Sequence, residues 1–262
     1  MLSVLQNEME EMKRFPLLIL LLMIAIKINS QTTYVVSVGI NDYANIGDLK
    51  FCENDVRSFN KVFLRHTKQV YSLTGCQATH TNVISTLSNV FQKAEPADAV
   101  VLFFSGHGYP GGLCCYDMNR NMNGLDYTEL QSIFRSCKAK RKMVFADACY
   151  SGGMRRSRSN SSINPVGNGN VMFFLSSRTN EVSQEMPTGP NGQFTRFLVR
   201  GLGGGSDKNR DRIVTAKELY KFVHDGVSAT TYNNQHPVMW GKFNNTMTIL
   251  NWKKRSGPSA KI

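Results

Sequence analysis

The stretch from Val100 to Gly108, which reads VVLFFSGHG, decides the fold class. The predicted strand, Ala99 to Phe104, is a short apolar run that ends abruptly at Ser105 and Gly106, as a strand buried on both faces of a parallel sheet does. A second run, Lys142 to Ala146, ends in the same way at Asp147. Because ligands bind at the carboxyl ends of parallel strands, this pattern predicts a functional site where the two runs end.

Short apolar runs and amphipathic segments alternate along the rest of the chain. Two further buried strands are predicted over Tyr34 to Ile40 and Val171 to Ser176, and a last strand over Thr246 to Leu250. Five segments between the strands carry apolar residues at helical spacing, and Thr215 with Glu218 predicts a capping box for the last of these helices. The alternation predicts an α/β protein, with a doubly wound, mostly parallel sheet between helices on both faces.

Composition excludes several protein classes. The chain has 262 residues, of which 41% are hydrophobic and 19% charged, so it can bury a core and is neither disordered nor a multi-span membrane protein. Its formal net charge is +12, but the basic residues are scattered and no Lys/Arg stripe is interleaved with aromatic residues. We therefore expect no nucleic-acid partner.

The first 31 residues are typical of a secretory signal. Met12, Lys13 and Arg14 precede an apolar run that ends at Ile26, and small Ser30 precedes a cleavage site at Gln31. The acidic residues before Met12 are foreign to such a signal, which makes Met12 an alternative start. The run is short for a transmembrane helix, and an uncleaved anchor is the alternative. We expect a secreted or periplasmic protein without stable membrane association after cleavage, with a domain over 32–252 and a tail over 253–262.

A histidine and a cysteine follow the apolar runs Ala99 to Phe104 and Lys142 to Ala146. His107 lies between Gly106 and Gly108, and Cys149 follows Asp147 and Ala148. An imidazole beside a thiol stabilises the thiolate, which is the nucleophilic form. A structural cysteine and a loop histidine would be the alternative, but their joint placement at two strand ends favours a catalytic pair.

These motifs resemble those of the caspase-like cysteine peptidases. SGHG over 105–108 and DACYSG over 147–152 are most similar to the motifs of metacaspases and bacterial caspase-domain proteins, in the clan that includes legumains and gingipains. The resemblance implies a caspase-haemoglobinase three-layer sandwich with about six strands. It also implies that His107 is the base and Cys149 the nucleophile, and that the backbone N–H groups of Gly108 and Cys149 form the oxyanion hole.

The same resemblance implies a pocket for a basic P1 side chain. Metacaspases line this pocket with the Asp of the cysteine motif and with the Asp of a Cys-x-Asn-Asp segment, which here match Asp147 and Asp55, with Cys52 opening the segment. A carboxylate beside the nucleophile suits Arg or Lys, and a guanidinium can pair with carboxylates through two hydrogen bonds. Alternatively, Asp55 only interacts with the dipole of a helix N-terminus.

Two further segments have both a functional and a plain interpretation. The polar stretch 154–170 carries Arg155, Arg156 and Arg158 shortly after Cys149, which predicts self-cleavage, whereas a solvated basic loop is the alternative. The segment from Asp207 to Glu218 matches an EF-hand loop at Asp207, Asn209, Asp211 and Glu218, but has Arg212 where the turn needs glycine. A calcium site and a polar turn before the helix both remain open there. We expect no required cofactor.

The leading hypothesis is therefore a cysteine endopeptidase that cleaves peptides or proteins after Arg, and also after Lys, and acts as a monomer. A catalytically weak or inactive caspase-fold binding module is the alternative, although such modules usually lack the His or the Cys and both are present here. A serine hydrolase on the same sheet is disfavoured because the sequence has no Gly-x-Ser-x-Gly motif.

Overall fold

The computed structural model describes residues 31–109, 111–119, 124–148, 171–178 and 189–253. The predicted signal segment, Cys149, the arginine-bearing segment and most of the predicted tail lie outside the described residues. Within the described parts, no helix is both long enough and apolar enough to span a bilayer.

The core of the fold is a six-stranded sheet. Its strands are β1 (Thr33–Gly39), β2 (Val70–Thr74), β3 (Ala99–Ser105), β7 (Arg141–Asp147), β8 (Val171–Leu175) and β10 (Val238–Gly241). They are arranged in the order β10-β8-β7-β3-β1-β2, and all neighbours are parallel except β10, which runs antiparallel to β8. The predicted strands at 34–40, 99–104, 142–146 and 171–176 are therefore confirmed.

Five helices cover the sheet: α1 (Cys52–Phe63), α2 (His80–Phe91), α3 (Tyr127–Ser136), α4 (Gln193–Arg200) and α5 (Ala216–Thr230). Residues of α2 and α3 share one core with Val100, Leu102 and Phe104 of β3, whereas α1, α4 and α5 share a second core with Val101 and Phe103. The alternation along β3 thus separates two apolar layers, which confirms the predicted three-layer α/β sandwich. The predicted capping box of Thr215 and Glu218 starts α5.

Two small antiparallel sheets lie outside the central one. β4 (Gly108–Tyr109), β5 (Gly112–Cys114) and β6 (Gly124–Asp126) form the first. β9 (Ile213–Thr215) pairs with β11 (Thr248–Asn251), so the strand expected near 246–250 exists but does not join the central sheet. The edge strands β2 and β10 lack the long apolar runs of the inner strands because both are only partly buried.

The parallel order brings three strand ends side by side at one edge. Gly39 of β1 is level with Ser105 of β3, and Ser105 is level with Asp147 of β7. Backbone hydrogen bonds continue past the strands, because Ile40 N donates to Ser105 O and Gly106 N donates to Asp147 O. The segments after β1, β3 and β7 therefore begin as neighbours at the carboxyl edge.

Candidate active site

His107 stands at this edge, on the segment between β3 and β4. The loop that follows β1, residues 40–51, passes beside it, and the ring of Tyr43 lies 5.1 Å from the imidazole, centroid to centroid. The Tyr43 hydroxyl accepts a hydrogen bond of 2.8 Å from the backbone N–H of His107. The histidine is thus contacted both at its backbone and at its ring by the neighbouring loop.

One hydrogen bond fixes the protonation pattern of the imidazole. Nε2 of His107 lies 2.8 Å from the carbonyl oxygen of Gly47. A carbonyl oxygen only accepts, so Nε2 must carry the proton, and in the neutral ring Nδ1 is then the basic nitrogen. A backbone carbonyl therefore selects the tautomer in which Nδ1 can accept a proton from a nucleophile.

The chain that leads to Cys149 is held from the adjacent strand. Ser176, directly after β8, is fully buried, and its hydroxyl accepts from Ala148 N at 3.2 Å and donates to Ala148 O at 3.1 Å. The carbonyl of Ser176 in turn accepts from Nε2 of Gln235 at 2.9 Å. Cys149 itself lies outside the described residues, but both polar groups of the residue before it are fixed by Ser176.

Asp55 and Asp147 are brought together from α1 and β7, and both are buried. Asp55 Oδ2 accepts from the Ser105 hydroxyl at 2.8 Å, while its Oδ1 accepts from Asn191 Nδ2 at 2.8 Å and Gly192 N at 3.1 Å. Asp147 Oδ2 accepts from both the N–H and the hydroxyl of Thr195, at 3.1 and 2.9 Å. These hydrogen-bond partners of Asp55 lie outside α1, so its carboxyl interacts with more than the dipole of that helix.

Gly192 marks the place where the two carboxylates converge. A Cβ atom added to this residue would lie 2.7 Å from Asp147 Oδ2 and 3.4 Å from Asp55 Oδ2. Because 2.7 Å is shorter than carbon–oxygen contacts in proteins allow, any side chain at this position would displace the Asp147 carboxylate. The absent Cβ therefore keeps the two acidic groups next to each other.

Burial and the nearby Asp147 both raise the pKa of the Asp55 carboxyl. Burial, and then the negative charge of Asp147, raise the pKa of the Asp55 carboxyl from 3.8 to about 8, although hydrogen bonds from Asn191, Ser105 and Gly192 oppose the shift. No ion pair to Asp55 occurs within the described parts of the chain. Asp55 and Asp147 therefore lie close enough for the charge of one to oppose the ionisation of the other.

Two other predicted site residues, Gly108 and Cys52, lie in the described part of the chain. Gly108 begins β4 immediately after His107, as an oxyanion-hole residue would require. Cys52 is buried at the start of α1, where its carbonyl oxygen would lie 2.6 Å from a Cβ added to Gly39. Arg155, Arg156, Arg158 and Cys149 belong to the undescribed segment, so the geometry of the complete catalytic pair stays a prediction.

The loop at 207–218 satisfies its acidic groups internally. Asp207 accepts from the N–H groups of Asp211 and Arg212, and Asn209 accepts from that of Asp211. Glu218 accepts from the N–H and the hydroxyl of Thr215. Within the described ranges, no group of three or more His, Cys, Asp or Glu side chains could hold a metal ion. The arrangement favours the polar turn, and calcium binding there stays a prediction.

Five of the six cysteines can be described, and no disulfide bond joins any two of them: Cys52, Cys76, Cys114, Cys115 and Cys137. Burial raises the pKa of the Cys114 thiol to about 11, so it is not an activated nucleophile. Cys114 ends β5, and its backbone N–H donates to the carbonyl of His107 at 2.9 Å, but its thiol is buried and is not activated.

Sequence reasoning did not assign several residues that the structure places at the site. Tyr43, Gly47, Ser105, Ser176 and Thr195 contact His107, Ala148 or the two carboxylates, but they lie far apart along the chain.

Comparison with known proteins identifies the fold and the family. A family model described as the caspase domain matches residues 32–247, which is most of the chain. Among solved structures, protein GSU0716 from Geobacter sulfurreducens superimposes with a TM-score of 0.62 and 17% identity, covering 84% of this chain and 99% of that one. At this identity, the similarity establishes the shared fold alone. No curated protein sequence matches the chain.

Proposed function

Because the chain belongs to the caspase domain family, we propose that it is a cysteine endopeptidase that cleaves after basic P1 residues. The observation that carries this proposal is the pair of buried acidic residues, Asp55 and Asp147. Asp147 lies two residues before Cys149 in the sequence. The same strand edge carries His107, whose tautomer is fixed for base catalysis.

The mechanism assigns the steps of peptide hydrolysis to His107 and Cys149. Nδ1 of His107 accepts the thiol proton of Cys149, and the thiolate attacks the carbonyl carbon of the scissile peptide bond. The imidazolium then donates this proton to the leaving amine as the C–N bond breaks, leaving an acyl-enzyme. In the second half, His107 accepts a proton from water, the hydroxide attacks the thioester, and the thiol is regenerated as the acid product leaves.

Backbone groups assist both half-reactions, acylation and deacylation. Gly47 O retains the Nε2 proton, which keeps Nδ1 available and stabilises the imidazolium formed during each half-reaction. The N–H groups of Gly108 and Cys149 donate to the oxyanion, and losing one such donor typically costs about 3 kcal/mol of transition-state stabilisation. Ser176 contributes indirectly, because it fixes the orientation of the peptide group that precedes Cys149.

Specificity follows from the charge of the pocket. An Arg side chain offers five N–H donors and a positive charge. Because a cation favours release of the Asp55 proton, Arg would meet both acids as carboxylates, and no neutral P1 side chain does this. An acidic P1 residue would meet like charge in a buried pocket, and such juxtaposition costs several kcal/mol. Arg is favoured over Lys because its planar group can bridge two acids at once.

The test compares peptides that differ only at P1. We expect kcat/KM for Arg and Lys peptides to exceed that for the Asp peptide by orders of magnitude, and Cys149→Ala and His107→Ala each to abolish hydrolysis. Asp55→Asn should lower kcat/KM for the Arg peptide, whereas Asp42→Asn, which alters an exposed carboxylate, should not and is its matched control. Hydrolysis that survives in Cys149→Ala would contradict the peptidase proposal, and a preference for Asp would contradict the basic pocket.

We further propose that the enzyme cleaves itself between Arg155 and Asn160. Three arginines follow the nucleophile closely in a polar segment, and each offers the P1 residue that the pocket prefers. Wild-type protein should separate into two fragments on a denaturing gel, whereas Cys149→Ala should remain whole. Equal cleavage of Cys149→Ala would assign the processing to another protease.

We also propose export through the segment 1–31. The basic, apolar and small residues of that segment support cleavage before Thr32. N-terminal sequencing of the protein recovered outside the producing cell tests this, and an intact Met1 or Met12 start would contradict it.

A further inference from the structure

Tyr43 is a buried aromatic residue that touches His107 at two points. It is 8% exposed, and its hydroxyl lies 2.8 Å from the backbone nitrogen of His107 while its ring is tilted by 43° against the imidazole. Its own N–H donates to Asp48 Oδ1 at 3.1 Å within the same loop. The loop thereby holds the tyrosine, and the tyrosine in turn contacts the histidine.

The hydroxyl replaces a strand partner at the end of β3. The ladder between β3 and β7 ends at Ser105 and Asp147, and Gly106 N still reaches the carbonyl of Asp147. The next donor, His107 N–H, is instead satisfied by the Tyr43 side chain. The point at which the chain leaves the sheet is thus fixed by one phenolic oxygen.

Gly106 makes room for this contact. A Cβ atom added to Gly106 would lie 2.5 Å from the Tyr43 hydroxyl oxygen, which is too close for any real side chain. The glycine before the histidine is therefore needed for the approach of Tyr43.

We infer that Tyr43 is a positioning residue for His107, an inference that rests on the proposed cysteine peptidase function. Tyr43 anchors the backbone of the histidine and limits the tilt of its ring, while Gly47 of the same loop binds Nε2. Together these contacts hold the imidazole ring, and therefore Nδ1, in one orientation. A smaller residue would lose the ring contact, and phenylalanine would lose the acceptor for the N–H group.

The test is Tyr43→Phe, which removes only the hydroxyl. Misplacement of a catalytic group by about 1 Å can cost about 100-fold in rate, so we expect kcat to fall by about 10- to 100-fold while KM stays within about twofold. Alkylation of Cys149 by iodoacetamide should become slower, and the midpoint of its pH profile should move upward, since a displaced imidazolium stabilises the thiolate less.

Tyr127→Phe is the matched control. Tyr127 is 2% exposed, shares the apolar core with Tyr43, and its buried hydroxyl has no hydrogen-bond partner in the described part of the chain. We expect it to retain wild-type kcat. Gly106→Ala is a second variant that pushes the Tyr43 hydroxyl away and should reproduce the loss in kcat, so the inference stays testable even if Tyr43→Phe folds poorly.

The outcomes separate this inference from the proposed function. If Cys149→Ala is inactive and Tyr43→Phe matches Tyr127→Phe in kcat and alkylation profile, Tyr43 does not position the base and only the inference fails. A rise in KM at unchanged kcat would likewise overturn it, because Tyr43 would then act on substrate binding. Full activity in Cys149→Ala would instead overturn the proposed function itself.

Discussion

Replacement of Asp55 by asparagine should change how stability depends on pH. Asp55 is 2% exposed, and burial together with the charge of Asp147 raises the pKa of its carboxyl from 3.8 to about 8. The folded protein therefore keeps a proton on this group that the unfolded chain releases above about pH 4. The stability that this proton contributes is complete below pH 4 and is lost as the pH rises towards 8.

Asparagine suits the site because it preserves the hydrogen bonds. Its Oδ1 can accept from Asn191 and Gly192, while its Nδ2 can donate to the Ser105 hydroxyl, which is able to reverse its role. Any constant effect of the substitution is removed when only the pH dependence is compared. A single proton changes the free energy of unfolding by at most about 1.4 kcal/mol per pH unit, which is about 4 kcal/mol between pH 5 and pH 8.

The assay is urea unfolding at several pH values between 5 and 8, in a Cys149→Ala background that cannot cleave itself. The free energy of unfolding of Asp55→Asn should rise relative to that of the parent as the pH rises, with a slope of up to about 1.4 kcal/mol per unit. Asp42→Asn, at an exposed position, should run parallel to the parent. Parallel curves for Asp55→Asn as well would refute the reasoning, since the carboxyl would then be ionised in the folded state throughout.

The remaining predictions concern the pocket, the nucleophile and calcium. Gly192→Ala should raise KM for Arg peptides by about 10-fold or more, because its Cβ displaces the Asp147 carboxylate; an unchanged KM in steady-state assays would contradict the placement of the pocket. Ser176→Ala should lower kcat by about 10-fold at nearly constant KM, as the peptide before Cys149 loses both hydrogen bonds; a wild-type kcat would show that the backbone is held without it. Calcium titration by calorimetry should give weak binding at most, since the acidic loop groups are already satisfied; tight binding that Asp207→Asn abolishes would establish the site instead.

The sequence alone determined the elements that depend on local pattern. The inner strands could be predicted because strands buried on both faces consist of continuous apolar runs. Helix α5 could be predicted because Thr215 and Glu218 form a capping box at its start. The edge strands β2 and β10 could not, since they are short and partly exposed and so carry no such run. The strand near 248–251 was visible as a pattern, but its partner β9 was not, because pairing is a non-local property.

The candidate site divides in the same way. His107, Cys149 and Asp147 follow apolar runs, and motif spacing therefore marked them, while Asp55 was marked only through the family resemblance. That Asp55 and Asp147 meet at Gly192, that Gly47 selects the tautomer of His107, and that Tyr43 holds its backbone were decided by the tertiary structure. These contacts join residues up to 137 positions apart, and they use backbone carbonyls, N–H groups and missing Cβ atoms. Such groups occur at nearly every position of a chain, so only the parallel strand order shows which of them meet.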